Sequence, residues 1–163
     1  MNIVLGLGSN LGDREEHLRR ALASLQRRQI HVQRSASLYI TEPRDITDQP
    51  WFINTVVIVE THWEPLELLG QCLEVEREEG RVRGVPRGPR PLDIDILFYG
   101  TQGIRTTNLT IPHPRYTERR FVLVPLAEVA PDFHDPIRNR TIQQLLEQCP
   151  DSGEVRLHAA PLL

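Results

Sequence analysis

Lysine is missing altogether from the 163 residues, so all 19 basic side chains are arginine. That excludes a Schiff base, a lysine nucleophile and the lysine of a phosphate-binding P-loop. Cysteine is nearly missing as well. Cys72 and Cys149 lie 77 residues apart and match neither a CxxC motif nor a zinc spacing. Two reduced thiols of a cytosolic protein are expected, with one disulfide as the alternative. No excess of positive charge exists: 19 basic against 22 acidic groups leave −3, which excludes a global basic field for nucleic acid. The apolar runs are far shorter than a membrane span. Residues 1–25 carry no signal-peptide pattern, because Asn10, Asp13, Arg14 and two glutamates follow apolar Met1–Leu7 at once. Repeats, low-complexity tracts and linkers are absent too. What remains is ordinary globular composition, 39% apolar and 25% charged. The expectation is one domain over residues 1–163, monomeric and cytoplasmic, without a nucleic-acid or membrane partner.

The chain reads as elements in the order βαββαβ. Asn2–Gly8 is a short buried strand, followed by a turn and a helix over 13–28. Asp13 is its N-cap, and Leu18, Ala21, Leu22 and Leu25 form its apolar stripe. His31–Thr41 reads as a second strand, Glu42–Pro50 as a loop, and β-branched Phe52–Thr61 as a third strand. Pro65 opens a second helix that runs to about residue 79, where Gly80 stops it. Leu92–Tyr99 is the fourth strand. This is a ferredoxin-like α+β core, an antiparallel sheet with packed helices, and a C-terminal extension follows it. In the extension Thr106–Ile111 is open to strand, Arg119–Val129 to helix despite Pro125, and Thr141–Gln148 to a short helix.

Asp93 and Asp95 sit at i and i+2 of the fourth strand, on one face, with backbones ~6.6 Å apart. Two adjacent carboxylates repel unless a cation or a shared proton neutralises them. Hard oxygen donors without nearby cysteine or several histidines favour Mg²⁺ over zinc. The alternative is an ordinary solvated strand face. Leu92, Ile94, Ile96 and Phe98 are assigned to the opposite, packed face. Just upstream, Arg81, Arg83, Arg87 and Arg90 fall in an acid-free loop rich in glycine and proline, Gly80–Pro91. Guanidinium forks match phosphate oxygens, and beside metal-binding carboxylates they are the equipment of polyphosphate chemistry. Their alternative partners are Glu74, Glu76, Glu78 and Glu79.

Three other features stay open at this level. Gly6-Leu-Gly8-Ser9-Asn10 lacks both phosphate-loop patterns, so its glycines read as structural, allowing close packing or positive φ. His113, bracketed by Pro112 and Pro114, reads first as a hydrogen-bonding loop residue. Asn54, polar on an apolar strand, is either a satisfied core amide or a reader of a heterocycle's edge.

Several segments together resemble one family: Gly6–Gly12, Tyr39-Ile-Thr-Glu-Pro43, Phe52-Ile-Asn54, Gly80-Arg-Val-Arg83, Gly88-Pro-Arg-Pro-Leu-Asp-Ile-Asp-Ile96, Ile111–Arg115 and Glu118–Ala127. In order and spacing they resemble the 6-hydroxymethyl-7,8-dihydropterin pyrophosphokinases of folate biosynthesis, over about residues 2–148. The resemblance implies transfer of pyrophosphate from ATP to the pterin's hydroxymethyl oxygen, giving AMP, with two Mg²⁺ ions on Asp93 and Asp95. It implies Arg81 and Arg90 as catalytic phosphate holders. Arg83, Ile96, Thr110, His113 and Arg119 would be further ATP contacts. The pterin would lie between Phe52 and Phe121, read by Asn54 and by the chain at Thr41, Pro43 and Arg44. Many members carry an aromatic residue just before Gly-Pro-Arg; this chain has Arg87 there. Two other classes compete: an RNA-binding module of the same sheet type, which the missing RNP1 pattern disfavours, and a nucleotide-binding relative without catalysis.

Overall fold

The computed structural model describes residues 2–43, 47–81 and 88–163. Strand β1 (Ile3–Ser9) is central to the main sheet and pairs antiparallel with β4 (Phe52–Thr61) and β5 (Asp93–Tyr99). Beyond β4 lie β2 (Ile30–Ser35) and β3 (Leu38–Thr41), both paired to it, and β8 (Val155–Ala159) closes the edge against β3. Leu5, Leu7, Ile53, Val57, Ile94 and Ile96 turn to one face, where they pack against α1 (Arg14–Arg27) and α2 (Pro65–Glu78). This is the ferredoxin-like arrangement expected from βαββαβ.

The helices obey local rules. The Asp13 carboxylate accepts the Glu16 N–H at 3.1 Å, Glu15 and Glu16 occupy the first turn of α1, and Arg27 its last. Pro65 opens α2, and Glu67 returns to the Glu64 N–H at 3.1 Å.

The extension is not peripheral. Helix α3 (Arg120–Val129) and α4 (Ile142–Glu147) cover the second face of the sheet, forming another core with Val4, Val56, Ile58, Leu97 and Phe98. A 3-10 turn at Tyr116–Glu118 precedes α3. Tyr116 is fully buried there, stacked edge-on to Phe98, and its hydroxyl donates to buried Asp135. The Asp135 carboxylate also accepts the N–H groups of Ile137 and Arg138, at 2.7 and 2.9 Å.

Five expectations need correction. The strand expected over His31–Thr41 is two strands, because β2 and β3 run along β4 with one extra residue between them. Ser35 faces Val57 and Tyr39 faces Asn54, four positions against three. Phe98 does not share the face of Ile94 and Ile96. A bulge between Val4 and Leu5 shifts the register, so Leu97 and Phe98 both join the α3 core. Thr106–Ile111 is not one strand: β6 (Ile104–Arg105) and β7 (Thr110–Ile111) pair around a turn that Thr106 holds by its hydroxyl to the Leu109 N–H. The ends of α4 retreat to its caps, Thr141 accepting the Gln144 N–H at 3.1 Å. Strand β8 was missed, since Arg156, Leu157 and His158 are all exposed and carry no alternation to detect. Among the described residues no helix is long and apolar enough to cross a membrane.

Tyr116 joins the turn before α3 to the segment before α4 through a buried hydroxyl–carboxylate bond. Tyr116→Phe leaves the carboxylate one donor short, a loss of about 1–3 kcal/mol. Thermal unfolding should fall by roughly 2–8 °C, with the far-ultraviolet circular dichroism unchanged; an unaltered midpoint would show that the bond contributes nothing.

Candidate functional site

Strand β1 presents no side chain at two points of the α3-facing surface. Gly8 stands in register between Asp93 on β5 and Asn54 on β4, and Gly6 between Asp95 and Val56. Both acids and Asn54 therefore share one face, as the i, i+2 spacing required. A Cβ on Gly8 would lie 2.3 Å from Asn54 Nδ2, so the amide occupies the room the missing side chain leaves. There Asn54 Nδ2 donates to the Leu7 carbonyl at 3.3 Å, and Oδ1 accepts the Thr41 hydroxyl at 2.7 Å. Among the described residues, one N–H and one lone pair of the amide remain. The core reading of Asn54 holds, a hydrogen-bonded amide 8% exposed, and the residue also lines a cleft.

That cleft has a volume of about 340 Å³. Its lining combines Thr41, Phe52, Asn54 and Phe121 with the charged Arg90, Asp93, Arg115 and Arg119. The Arg90 guanidinium lies 6.0 Å from the Phe52 ring centroid, and that of Arg119 5.7 Å from Phe121. Gln49, Glu42, Glu118, Pro150 and Asp151 are the other described residues of the lining.

Asp93 is clamped by two guanidiniums. Arg81 Nη1 lies 2.6 Å from Oδ1, and Arg90 Nη1 lies 3.1 Å from Oδ2. Arg81 Nη1 also reaches Glu76 Oε2 at 2.9 Å, so the expected alternative pairing with helix α2 exists alongside the Asp93 contact. Glu76, one of the acids named as alternative partners, is 5% exposed, and its Oε2 also accepts the Ile94 N–H at 2.7 Å. Burial raises its carboxyl, against that bond and Arg81. Asp95 differs from its neighbour. No hydrogen bond to its carboxylate exists among the described residues, and burial, then the charge of Asp93, push it up to about 7. Among the described residues Arg119 and Arg90 offset this only in part, and a divalent cation at Asp95 would supply the rest. Two carboxylates with no larger ligand cluster among the described residues fit an ion that completes its shell with phosphate and water, as Mg²⁺ does.

The other predicted residues are spread around this centre. Ile96 is buried in the α1/α2 core, so only its backbone faces any ligand. Thr110 lies in β7, paired to Arg105. Pro43 is buried at the end of the β3 segment. His113 is held beside β5, its N–H donating to the Leu97 carbonyl at 3.0 Å. Burial, and then Arg119, push its imidazole down to about 4. Its Nδ1 accepts the Arg115 N–H at 3.2 Å, which leaves the proton of the neutral ring on Nε2. Arg83, Arg87 and Arg44 lie outside the described residues.

Asn10 was missed, because its role spans distant sequence. Its Nδ2 donates to Gln49 Oε1 and the Pro50 carbonyl, at 2.8 and 3.0 Å, while Oδ1 accepts the Arg90 N–H at 2.7 Å. The amide thereby ties the chain on both sides of the cleft to the end of β1.

The class defined by this fold and site matches what the chain is similar to. Residues 4–131 match the model of the 7,8-dihydro-6-hydroxymethylpterin-pyrophosphokinase family, and the chain belongs to that family. It is 40% identical over 159 residues to the 2-amino-4-hydroxy-6-hydroxymethyldihydropteridine pyrophosphokinase of Pseudomonas aeruginosa, covering 97% of this chain and 98% of that protein. The Bacillus subtilis enzyme of the same name is 46% identical over 126 residues, covering 77% of this chain and 75% of its own. The mitochondrial folate synthesis bifunctional protein of Pisum sativum is 46% identical over 127 residues, 78% of this chain; the chain spans only 25% of that longer protein. In fold, it superposes on Plasmodium falciparum HPPK-DHPS solved with pteroate at a TM-score of 0.73 and 18% identity, over 90% of this chain and 42% of the other.

Two outcomes follow from the geometry. Gly8→Ala drives a Cβ into Asn54 and should cost about 1–3 kcal/mol by overpacking, read as a lower midpoint in denaturant; an unchanged midpoint would place Asn54 elsewhere. For His113, the folded value near 4 lies below the ordinary 6.5. The unfolded chain therefore binds the extra proton between these values, and stability falls as pH drops from 6.5 to 4. His113→Gln should remove about 2 kcal/mol of that decline, or ~4–8 °C, in melts compared at pH 7 and pH 4.5.

Proposed function

We propose that the chain transfers the terminal pyrophosphoryl group of ATP to the hydroxymethyl oxygen of 6-hydroxymethyl-7,8-dihydropterin, releasing AMP, as a step of folate biosynthesis. The observation that carries this reading is one sheet face on which a carboxylate pair, one member clamped by two arginines, adjoins a cleft lined by two phenylalanine rings and the Asn54 amide. Membership of the pterin pyrophosphokinase family supports it.

Each residue then has a chemical task. Phe52 and Phe121 offer ring faces for a flat heterocycle, and the spare donor and acceptor of Asn54 suit its amide-like edge. Arg81 and Arg90 exchange part of their contact with Asp93 for phosphate oxygens and offset the charge that develops in transfer. Arg119 adds a third guanidinium beside the pterin end. His113, neutral at physiological pH, donates one Nε2 hydrogen bond to a phosphate oxygen without adding charge. Thr110 and the backbone of Ile96 remain for the nucleoside. Asp93 and Asp95 would hold Mg²⁺, two ions with the nucleotide, which polarise the phosphates and acidify the attacking hydroxyl. Cation binding holds Asp95 ionised despite its raised affinity for a proton. The reading takes residues 1–163 as one domain, acting as a monomer in the cytoplasm.

The test is AMP formation from Mg²⁺–ATP with and without the pterin alcohol. AMP should form only with both. Asp95→Asn should keep the fold and lose at least ~100-fold in turnover, the scale of several kcal/mol of transition-state stabilisation. Pterin-independent AMP, or a folded Asp95→Asn protein of near-normal turnover, would overturn the assignment.

A further inference from the structure

The cleft wall formed by Pro150 and Asp151 comes from a part of the chain beyond residue 131, where the family match ends. Helix α3 begins at Arg120, and its N-cap residue, Arg119, supplies no side-chain cap. The missing acceptor arrives from 31 positions away. Asp151 Oδ2 accepts the Arg120 N–H at 3.0 Å, and Oδ1 accepts the Gly153 N–H at 2.7 Å. The carboxylate is 8% exposed and faces the positive end of α3, where a negative group is favoured. Arg120 Nε adds a bond to the Gly153 carbonyl at 3.3 Å.

The same segment is fastened to the other side of the cleft. Glu42 N donates to the Glu154 carbonyl at 3.1 Å, Glu154 N donates to Glu42 Oε1 at 2.5 Å, and β8 then pairs with β3 from Thr41 to Leu38. Residues 151–155 thus bridge the Thr41–Glu42 wall and the first turn of α3. Arg120, the residue capped, lies between Arg119 and Phe121, both of which line the cleft.

We infer that Asp151 is a positioning residue of the pterin pocket: by capping α3 at the Arg120 N–H it sets the Phe121 ring opposite Phe52. This rests on the pterin reading above. The cap lies beyond residues 4–131, the stretch that matches the family model, so the pocket's rigidity is set outside the motifs that carry the chemistry.

Two measurements on the intact protein test it. Amide hydrogen exchange at Arg120, without ligand, should rise at least ~10-fold in Asp151→Ala and stay near wild type in Asp151→Asn, since an asparagine oxygen caps nearly as well. Calorimetry with 6-hydroxymethyl-7,8-dihydropterin, in the presence of Mg²⁺ and a non-hydrolysable ATP analogue, should show a Kd raised about tenfold in Asp151→Ala, with Asp151→Asn within about threefold of wild type. The affinity for the nucleotide analogue alone should change less than about twofold. Unchanged pterin affinity in folded Asp151→Ala overturns the inference. So does an Asp151→Asn protein as impaired as Asp151→Ala, because the charge and not the cap would then matter. If wild type fails to bind the pterin while Arg120 exchange still responds, the pterin reading falls and the capping of α3 stands.

Discussion

The site depends on a strip of β1 that carries no side chains. Any residue larger than glycine at position 8 meets Asn54 at less than van der Waals distance. Asn54 in turn holds Thr41 and spans back to the Leu7 carbonyl, so the bare strip couples three strands. Because Gly6 and Gly8 lie between β5 and β4, the acids and the amide are separated by one intervening strand that puts no side chain between them. A flat ligand and a charged one can then rest side by side on the sheet.

Charge is arranged unevenly across this surface. Asp93 is held between two arginines, whereas Asp95 carries no hydrogen bond among the described residues and has a raised proton affinity. In a partly buried setting such an imbalance costs stability in the free protein. It also defines where a cation is wanted, because the same carboxylate gains most when charge is supplied. The absence of lysine fits this design: a planar guanidinium bridges Glu76 and Asp93 from one nitrogen and keeps other donors for a ligand.

The ferredoxin-like half of the molecule supplies the sheet and its α1/α2 core. The later half supplies the roof. Helix α3 brings Phe121 and Arg119 over the same face, Tyr116 and Asp135 anchor the turn before it, and Asp151 caps its start. The extension expected to follow the core is thus half of the binding cleft.

Much was legible from residue order alone. The period-two run from Asp93 to Ile96 placed both acids on one face, and helical spacing in 18–25 and the Asp13 cap located α1. These signals are local, set by side chains within one or two turns of each other. Resemblance to the family joins the distant segments into one expected site. Only the tertiary structure decided the rest. The bulge that turns Leu97 and Phe98 away from Ile96 depends on pairing with β1, which is remote in sequence. Strand β8 forms because an open edge of β3 accepts it, not because Arg156, Leu157 and His158 alternate. The bonds of Asn10 to Arg90 and of Asp151 to Arg120 join positions 80 and 31 residues apart. No periodicity encodes such contacts, since they come into being only when the packed cores bring the ends of the strands together.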